Sequence, residues 1–228
     1  MTEQGQRVAA VWQDPAFAKA WSEGDAMGDL LAFPRRLAAA LVAHDRPDVR
    51  LVVDIGSGPG AVLATFLEEF PAARGVWSDA SEAMLDRARE TLAPYRDRVE
   101  FQLVDMTDLD GTGIPSGADV ITTSRAAHHL DRAGLATFYT QAAEHLAPGG
   151  WLINLDHIGP DDVWDKRFRA VRPRFAAHGR KEPKHHHNYP LTSIQDHLDG
   201  YAQGGITDVE IAWKAFYTCL FMGRKAGA

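Results

Sequence analysis

Short apolar runs and helical patterns alternate over most of this 228-residue chain. The first apolar run, residues 51–55, is interrupted only by Asp54 and stops at Gly56, which is typical of a strand buried on both faces. In residues 60–70 the apolar side chains keep to one helical face, and Pro71 ends the pattern. The chain therefore predicts a strand, a glycine loop and a helix, in that order.

The same alternation continues towards the C-terminus. It predicts strands over residues 75–79, 99–105, 119–124 and 151–157, and helices over residues 81–92 and 131–146. Because strands that alternate with helices connect by right-handed crossovers, the predicted fold class is α/β, with a doubly wound and mostly parallel sheet. The tail differs, since residues 207–213 alternate apolar with polar side chains and residues 216–222 form a second β-rich run. This pattern predicts a C-terminal antiparallel β-hairpin.

The N-terminal part of the chain is predicted to be a helical cap over residues 1–48, in front of a ligand-binding domain over residues 49–228. Pro15 and Pro34 are expected to break the cap into separate helices. Its apolar side chains recur at a helical spacing, at Phe33, Leu37, Leu41 and Val42. This spacing indicates a helix that ends before Pro47.

Composition and charge exclude several classes of protein. Hydrophobic residues make up 45% of the chain and charged residues 24%, as in soluble globular proteins. The 24 basic and 31 acidic residues give a net charge of −7, which disfavours nucleic acid as a partner. The one cysteine, Cys219, lies in an apolar run, which predicts a buried thiol. Since no apolar run approaches the roughly 20 residues of a membrane span and the start lacks a signal-peptide pattern, we expect a cytoplasmic protein without a membrane partner.

The glycine loop at residues 56–60 joins the first predicted strand to its helix. Glycines at this position let a ligand approach the backbone at the carboxyl end of the sheet. Asp79 ends the second strand, where a carboxylate accepts hydrogen bonds from ribose hydroxyls in nucleotide-binding versions of this fold. Gly60 comes one position earlier than the third glycine of a dinucleotide fingerprint, and Pro59 stiffens the loop. We therefore expect an adenosyl ligand without a pyrophosphate.

A second acid, Asp105, ends the third predicted strand and is followed by Met106. We expect Asp105 to accept a hydrogen bond from an adenine amino group while the Met106 backbone meets the ring edge. The alternative is that Asp79 and Asp105 only cap the helices that follow them.

These motifs together resemble the class I S-adenosylmethionine-dependent methyltransferases, over roughly residues 50–225. The resemblance is carried by five ordered segments, at residues 52–60, 77–85, 104–106, 128–130 and 146–150. It implies a seven-stranded sheet whose last strand is antiparallel. It also implies that S-adenosylmethionine binds over the first four strands and leaves as S-adenosylhomocysteine.

The resemblance also implies which residues contact the cofactor. Gly56 and Gly58 would approach its methionine part, and Asp79 its ribose. The full set of expected cofactor-binding residues is Asp54, Gly56, Ser57, Gly58, Gly60, Asp79, Ala80, Met84, Asp105, Met106 and Ser124. Ala80 departs from the commonest pattern, since many relatives carry a larger apolar residue there, and this affects only the packing against the adenine.

The acceptor of the methyl group is expected beyond the ends of the fourth and fifth strands. A hydroxyl or ammonium acceptor must lose a proton, and imidazole suits that role because it titrates near neutrality. His157 is the first candidate for this base and His128 the second. The alternative is that the histidines after strand four only cap the next helix.

Expected substrate contacts come from three parts of the chain. They are Trp12 and Trp21 in the cap, Arg125 and His129 after strand four, and Trp164, His187 and Tyr189 in residues 158–205. We expect residues 158–205 to be an insertion that covers the substrate, and the cap to act as a lid. The alternatives are a solvated basic loop and a helix that only braces the sheet. No metal site is expected, because the adjacent histidines at 185–187 cannot all face one ion and no zinc motif accompanies them.

The sequence thus predicts an enzyme that transfers a methyl group to an oxygen or nitrogen of a small molecule. Two alternatives stay open: a methyltransferase that modifies a transfer-RNA base, and a protein that binds S-adenosylmethionine without catalysis. A nicotinamide-dependent oxidoreductase is disfavoured, because the chain lacks the pyrophosphate loop. The oligomeric state is left open.

Overall fold

A computed structural model describes residues 11–23, 28–111, 113–175 and 190–227. Its helices are α1 (Pro15–Glu23), α2 (Gly28–Asp45), α3 (Ala61–Glu69), α4 (Glu82–Thr91), α5 (Arg132–His145), α6 (Asp162–Val171) and α7 (Ile194–Gln203). Short 3₁₀ turns lie at Ala93–Arg98, Ala127–His129 and Arg172–Arg174. The strands are β1 (Leu51–Ile55), β2 (Arg74–Asp79), β3 (Val99–Leu103), β4 (Ala118–Ser124), β5 (Leu146–His157), β6 (Ile206–Ala215) and β7 (Thr218–Lys225).

The strands form one seven-stranded sheet in the order β3-β2-β1-β4-β5-β7-β6. Strands β1 to β5 run parallel to one another, whereas β7 runs antiparallel to both β5 and β6. The predicted fold class is therefore confirmed, including the C-terminal hairpin. The strand order reverses at β1, which pairs with β2 on one side and with β4 on the other. In open α/β sheets such a reversal leaves a crevice at the carboxyl ends of the strands, where ligands bind.

Both faces of the sheet are covered, which explains the apolar runs of the central strands. On one face Val52 packs into a cluster with residues of α2, α3 and α4. On the other face Val53 and Ile55 pack into a cluster with residues of α5 and α7. Cys219 of β7 lies in this second cluster and is buried, as expected, and its burial raises the thiol pKa to about 11.

The cap helix α2 differs from the expectation in two respects. Pro34 does not break the helix but lies inside it, at a buried position. The buried face consists of Leu31, Ala38, Ala39 and Val42. Of the side chains that suggested the helix, Phe33 is 55% exposed and Leu41 is 40% exposed. The other two side chains of that stripe do face the domain, since Val42 is buried and Leu37 packs against the core. The buried face thus passes through the small alanines, which let the helix axis come close to the domain.

The predicted substrate-covering segment, residues 158–205, contains two helices of different character. Helix α7 begins at a capping box formed by Ser193 and Asp196, and its Tyr201 is fully buried. This helix packs on α5 and so belongs to the layer that flanks the sheet. Helix α6 has no buried residue and lies beyond the end of β5. Among the described residues, no helix combines the length and the apolar character needed to cross a membrane.

Candidate functional site

The glycine loop between β1 and α3 contains three glycines with left-handed backbone conformations, and each has a different neighbour. A Cβ on Gly56 (φ +63°) would lie 2.5 Å from the Cβ of Ala126, and one on Gly60 (φ +85°) would lie 2.9 Å from Leu92. A Cβ on Gly58 (φ +54°) would meet no atom within 4 Å. Packing against Leu92 therefore requires a glycine at position 60, whereas Gly58 borders open space.

The loop is supported from below by Asp54, which is fully buried at the end of β1. Its carboxylate accepts hydrogen bonds from the Ser57 hydroxyl at 2.5 Å and from the Thr122 hydroxyl at 2.7 Å. Burial raises the pKa of Asp54 to about 6, although these two hydroxyl donors oppose the shift. A contact between Asp54 and a cofactor was expected from the sequence, but the structure places this side chain beneath the loop, where it fixes the loop shape.

The peptide units of Gly58 are held from the end of β2. The Gly58 amide donates to Asp79 Oδ2 at 2.8 Å, and the indole Nε1 of Trp77 donates to the Gly58 carbonyl at 2.8 Å. Asp79 also accepts from the Ser81 amide at 2.9 Å, and burial raises its pKa. Each oxygen of a carboxylate has two acceptor sites, so Asp79 retains capacity for ligand hydroxyls. Trp77 stands two residues before Asp79, within the segment 77–85 that carries the resemblance, but it was not expected as a site residue.

The loops after β3 and β4 reach the glycine loop. The Met106 sulfur lies 3.8 Å from the position that a Gly56 Cβ would take, on the same side as Ala126. Asp105 is half-buried, and its Oδ1 accepts from the amide and the hydroxyl of Thr107. Ser124 ends β4 at this edge and is also half-buried. The crevice thus brings together residues from the ends of β1, β2, β3 and β4.

Met84 was expected at the cofactor, but its side chain is only 2% exposed and belongs to the core under α4. The residue faces inward because its position on the helix is set by the Ser81 cap, whose hydroxyl accepts from the Met84 amide. The structure therefore gives Met84 a packing role.

The start of the described chain lies across one side of the crevice. The Gln13 side chain donates to the Ala80 carbonyl at 2.7 Å and accepts from the Glu82 amide at 3.2 Å. The Trp12 carbonyl accepts from the Ser81 hydroxyl. The Trp12 ring lies edge-on to His129, with the ring centroids 5.9 Å apart. This segment therefore connects the loop after β2 with the loop after β4, and Gln13 was not singled out from the sequence.

The histidines after β4 and β5 are organised by Asp156, which is fully buried. Asp156 accepts from the His128 amide at 2.8 Å and contacts His128 Nδ1 at 2.5 Å. It also accepts from the His157 amide at 2.7 Å. Burial raises the pKa of Asp156, and the neighbouring His157 and His197 side chains oppose the shift. A carboxylate on Nδ1 sets the ring tautomer so that Nε2 can accept a proton, as in catalytic Asp–His pairs.

His157 was the first candidate for the base, and the structure places it beside His128, with the ring centroids 5.0 Å apart. Its Nδ1 lies 3.2 Å from the Thr218 hydroxyl. His128 is 3% exposed, whereas His157 is half-buried. The Asp156 carboxylate contacts the ring of His128 and only the backbone amide of His157. The geometry therefore favours His128 over His157 as the base.

The expected substrate-binding residues are only partly brought together. Arg125 follows β4 in a left-handed backbone conformation (φ 55°) beside the histidines, a position where strain is often functional. Trp164 is 49% exposed and lines a cavity of about 510 Å³ that begins directly after His157, at Ile158. For Trp21 only the backbone is described, within α1. His187 and Tyr189 lie outside the described residues, as does the rest of residues 176–189.

Part of the chain matches a known protein family. Residues 52–150, which contain the glycine loop, Asp79 and His128, match the family described as a methyltransferase domain. The matched part covers less than half of the chain and runs from β1 to the start of β5.

The chain is similar to several named methyltransferases. It is 31% identical over 116 residues to 3-amino-4-hydroxybenzoate 4-O-methyltransferase of Streptomyces cremeus, a match that covers 50% of this chain and 31% of that enzyme. An O-methyltransferase family protein of Burkholderia thailandensis has a similar fold, with a TM-score of 0.67 and 24% identity over 90% of this chain and 59% of that one. Human N-acetylserotonin methyltransferase in complex with S-adenosylmethionine has a TM-score of 0.65 and 14% identity, over 96% of this chain and 59% of that one. The chain thus spans less than two thirds of each of these proteins.

Proposed function

We propose that this protein transfers the methyl group of S-adenosylmethionine to a hydroxyl oxygen of a small-molecule acceptor. The observation that carries the proposal is the buried His128–Asp156 pair, which follows Ala126 at the glycine loop, because a hydroxyl acceptor must lose a proton. The match of residues 52–150 to a methyltransferase domain supports the donor, and the name of the Streptomyces cremeus relative supports oxygen as the acceptor atom. The single buried cysteine is consistent with a cytoplasmic location.

The residues present fit an adenosyl cofactor. Gly58 leaves room at the backbone, Asp79 offers acceptor sites for two ribose hydroxyls, and Met106 supplies an apolar surface opposite Gly56. When bound, S-adenosylmethionine supplies a methyl group that is already activated by its sulfonium. The protein therefore has to hold the acceptor, exclude water and take up one proton.

His128 takes up that proton at Nε2 in the proposed reaction. Asp156 keeps Nδ1 protonated and stabilises the imidazolium that forms, because it is a buried carboxylate in direct contact with the ring. The Trp12–Gln13 segment shields the site from water on the side of β2.

The proposed function is tested by formation of S-adenosylhomocysteine from S-adenosylmethionine with phenols such as 3-amino-4-hydroxybenzoate as probes. This probe carries both a hydroxyl and an amino group, so mass spectrometry of the isolated product identifies the methylated atom. O-methylation supports the proposal. N-methylation, or methyl transfer to transfer RNA but to none of the phenols, contradicts it. Cofactor binding without turnover on any acceptor would favour a non-catalytic binding protein.

Replacement of Asp79 with alanine is expected to weaken binding of S-adenosylmethionine and S-adenosylhomocysteine more than tenfold. The variant removes the acceptor for two ribose hydroxyls and also the partner of the Gly58 amide, a loss of about 1.5 to 3 kcal/mol. Calorimetric titration measures the affinities. Asp86→Ala, an exposed acid on α4, is the control and should bind normally. Unchanged affinity in Asp79→Ala, or preferred binding of NAD, contradicts the proposed site.

The Trp12–Gln13 segment is expected to act as a lid that becomes more protected when the cofactor binds. Its contacts are to the loop after β2, where Asp79 lies, so a ligand on Asp79 should stabilise the closed position. Hydrogen exchange over residues 11–23 should slow when S-adenosylhomocysteine is added. In Gln13→Ala this slowing should be smaller, and β7 serves as an internal reference. Equal exchange with and without the cofactor would show that the segment is a static brace.

A further inference from the structure

A buried polar network lies on the α5 and α7 side of β5, apart from the histidines already described. The Tyr139 hydroxyl is 2.7 Å from His197 Nδ1, and the Asn154 amide nitrogen is 2.8 Å from the Tyr139 hydroxyl. On the other side of the ring, His197 Nε2 is 3.1 Å from the Thr192 hydroxyl. Tyr139, Asn154 and His197 are fully buried and Thr192 is almost so. The network therefore joins α5, β5, α7 and the segment that leads into α7.

The contacts define which ring nitrogen of His197 carries the proton. The Asn154 amide donates to the Tyr139 hydroxyl and also points at His197 Nδ1, 3.4 Å away. Tyr139 then has its own hydrogen to donate to Nδ1. With the Asn154 amide nitrogen directed at Nδ1, two donors converge on this atom, which assigns it as the acceptor and places the proton of the neutral ring on Nε2, facing the Thr192 hydroxyl.

At its Thr192 end, the network contacts the segment that follows Asp156 and His157. The Gly159 amide donates to the Thr192 carbonyl at 2.8 Å, and a Cβ on Gly159 would lie 2.5 Å from the Leu191 carbonyl oxygen. Gly159 is two residues after His157 and three after Asp156. Asn154 and Asp156 lie on the same face of β5, since alternate residues of a strand share a face. His197 thus holds a neighbouring chain segment against the end of the strand that orients His128.

We propose that His197 is a positioning residue: in its neutral Nε2-protonated form it locks residues 190–193 onto the end of β5 and so keeps Asp156 and His157 aligned for the base His128. This assignment rests on the proposed function for its catalytic consequence, whereas the lock itself is independent of it. No part of the reaction described above uses His197, Tyr139 or Thr192.

The charged form of His197 is disfavoured from two sides. Burial lowers the pKa of His197, although the carboxylates of Asp156 on β5 and Asp196 on α7 oppose the shift. Protonation of Nδ1 would also face two donors, from Tyr139 of α5 and Asn154 of β5. The lock is therefore expected to stay closed across the neutral pH range and to open only in acid.

The first test measures the tautomer. Long-range proton–nitrogen NMR of the protein labelled at histidine nitrogens, with the His197 signals assigned from His197→Gln, should show an Nε2-protonated neutral ring that does not titrate between pH 6 and 8.5. An Nδ1-protonated ring, or one that titrates in this range, would overturn the proposal.

The second test removes single contacts of the network and measures turnover, cofactor affinity and hydrogen exchange of the Gly159 amide. His197→Phe keeps the stacking on Phe221 but loses both hydrogen bonds, whereas His197→Gln can keep an acceptor and a donor. Thr192→Val loses the hydroxyl and Thr192→Ser keeps it. Tyr201→Phe is the control, because this buried tyrosine donates only to backbone carbonyls of β5 and β7 among the described residues.

We expect His197→Phe and Thr192→Val to lower kcat at least tenfold, with the cofactor Kd within threefold of the parent value, and to speed exchange of the Gly159 amide. His197→Gln and Thr192→Ser should keep kcat and the exchange rate of the Gly159 amide close to the parent values, and Tyr201→Phe should change neither of them. Parent-like turnover and Gly159 exchange in His197→Phe and Thr192→Val would refute the lock. If the parent protein transfers no methyl group, the proposed function fails. The hydrogen exchange of the Gly159 amide and the tautomer of His197 then still show whether His197 holds residues 190–193 in place.

Discussion

Replacement of His128 with glutamine is expected to lower methyl transfer to a phenol by 10²- to 10⁴-fold, the range that general base catalysis contributes. Glutamine fills a similar volume and can still contact Asp156, but it cannot accept a proton. Since the proton is transferred only in the transition state, the cofactor affinity should stay within a few-fold. Steady-state turnover and calorimetric titration of S-adenosylhomocysteine measure the two quantities separately.

Two further variants sharpen the result. His157→Gln should lower turnover by less than tenfold, because the Nδ1 of this ring faces Thr218 and Asp156 contacts the other ring. His44→Gln, an exposed position on α2, is the control for loss of a histidine as such. If His128→Gln and His157→Gln both keep near-normal turnover between pH 6 and 9, proximity alone carries the reaction and no base is needed. A large loss in His157→Gln alone would transfer the role to His157.

Alanine at Gly56 and alanine at Gly58 are expected to fail in different ways. Both positions have positive φ, which costs an alanine about 1 to 2 kcal/mol. At Gly56 the added Cβ would also collide with Ala126, so about 1 to 3 kcal/mol more is lost from the free energy of unfolding. At Gly58 the Cβ enters open space, so stability falls only by the backbone effect, while cofactor affinity falls at least tenfold.

Urea unfolding and calorimetric titration separate these two outcomes. The double variant Gly56→Ala with Ala126→Gly removes the colliding methyl group and should regain the part of the stability that the collision had cost. Equal destabilisation by alanine at Gly56 and at Gly58 would contradict the assigned contact between Gly56 and Ala126. Normal cofactor binding by Gly58→Ala would show that the open space beside this glycine is not used by the ligand.

Much of the fold follows from local patterns in the sequence. The run at residues 51–55, the helix that ends before Pro71 and the alternation at 207–213 each depend on side chains only a few positions apart. Such patterns fix which elements form, and a strand buried on both faces already implies helices on each side. The identity of the acid at the end of β2 follows for the same reason, since the position of Asp79 in a strand–loop–helix unit is a local property.

Only the tertiary structure decided which face of a helix is buried. On α2, Phe33 and Leu41 are exposed although they belong to the predicted apolar stripe, because the alanine-rich face allows closer packing. Pro34 is accommodated within the same helix. No local pattern distinguishes these two faces, since both have helical spacing.

Contacts between residues distant in sequence likewise decided which of the two histidines, His128 or His157, is oriented as a base. His128 lies in the 3₁₀ turn after β4 and Asp156 lies in β5, 28 residues further on, and the hydrogen bond between them exists only because β4 and β5 are neighbours. The Trp12–Gln13 segment meets the loop after β2 across more than 60 residues. The sequence by itself determined the sheet, the glycine loop and the candidate histidines. Which of these histidines has a carboxylate on its ring depended on how the strands pair. The reason is that a hydrogen bond requires atoms within about 3 Å, and sequence spacing does not set such distances between separate elements.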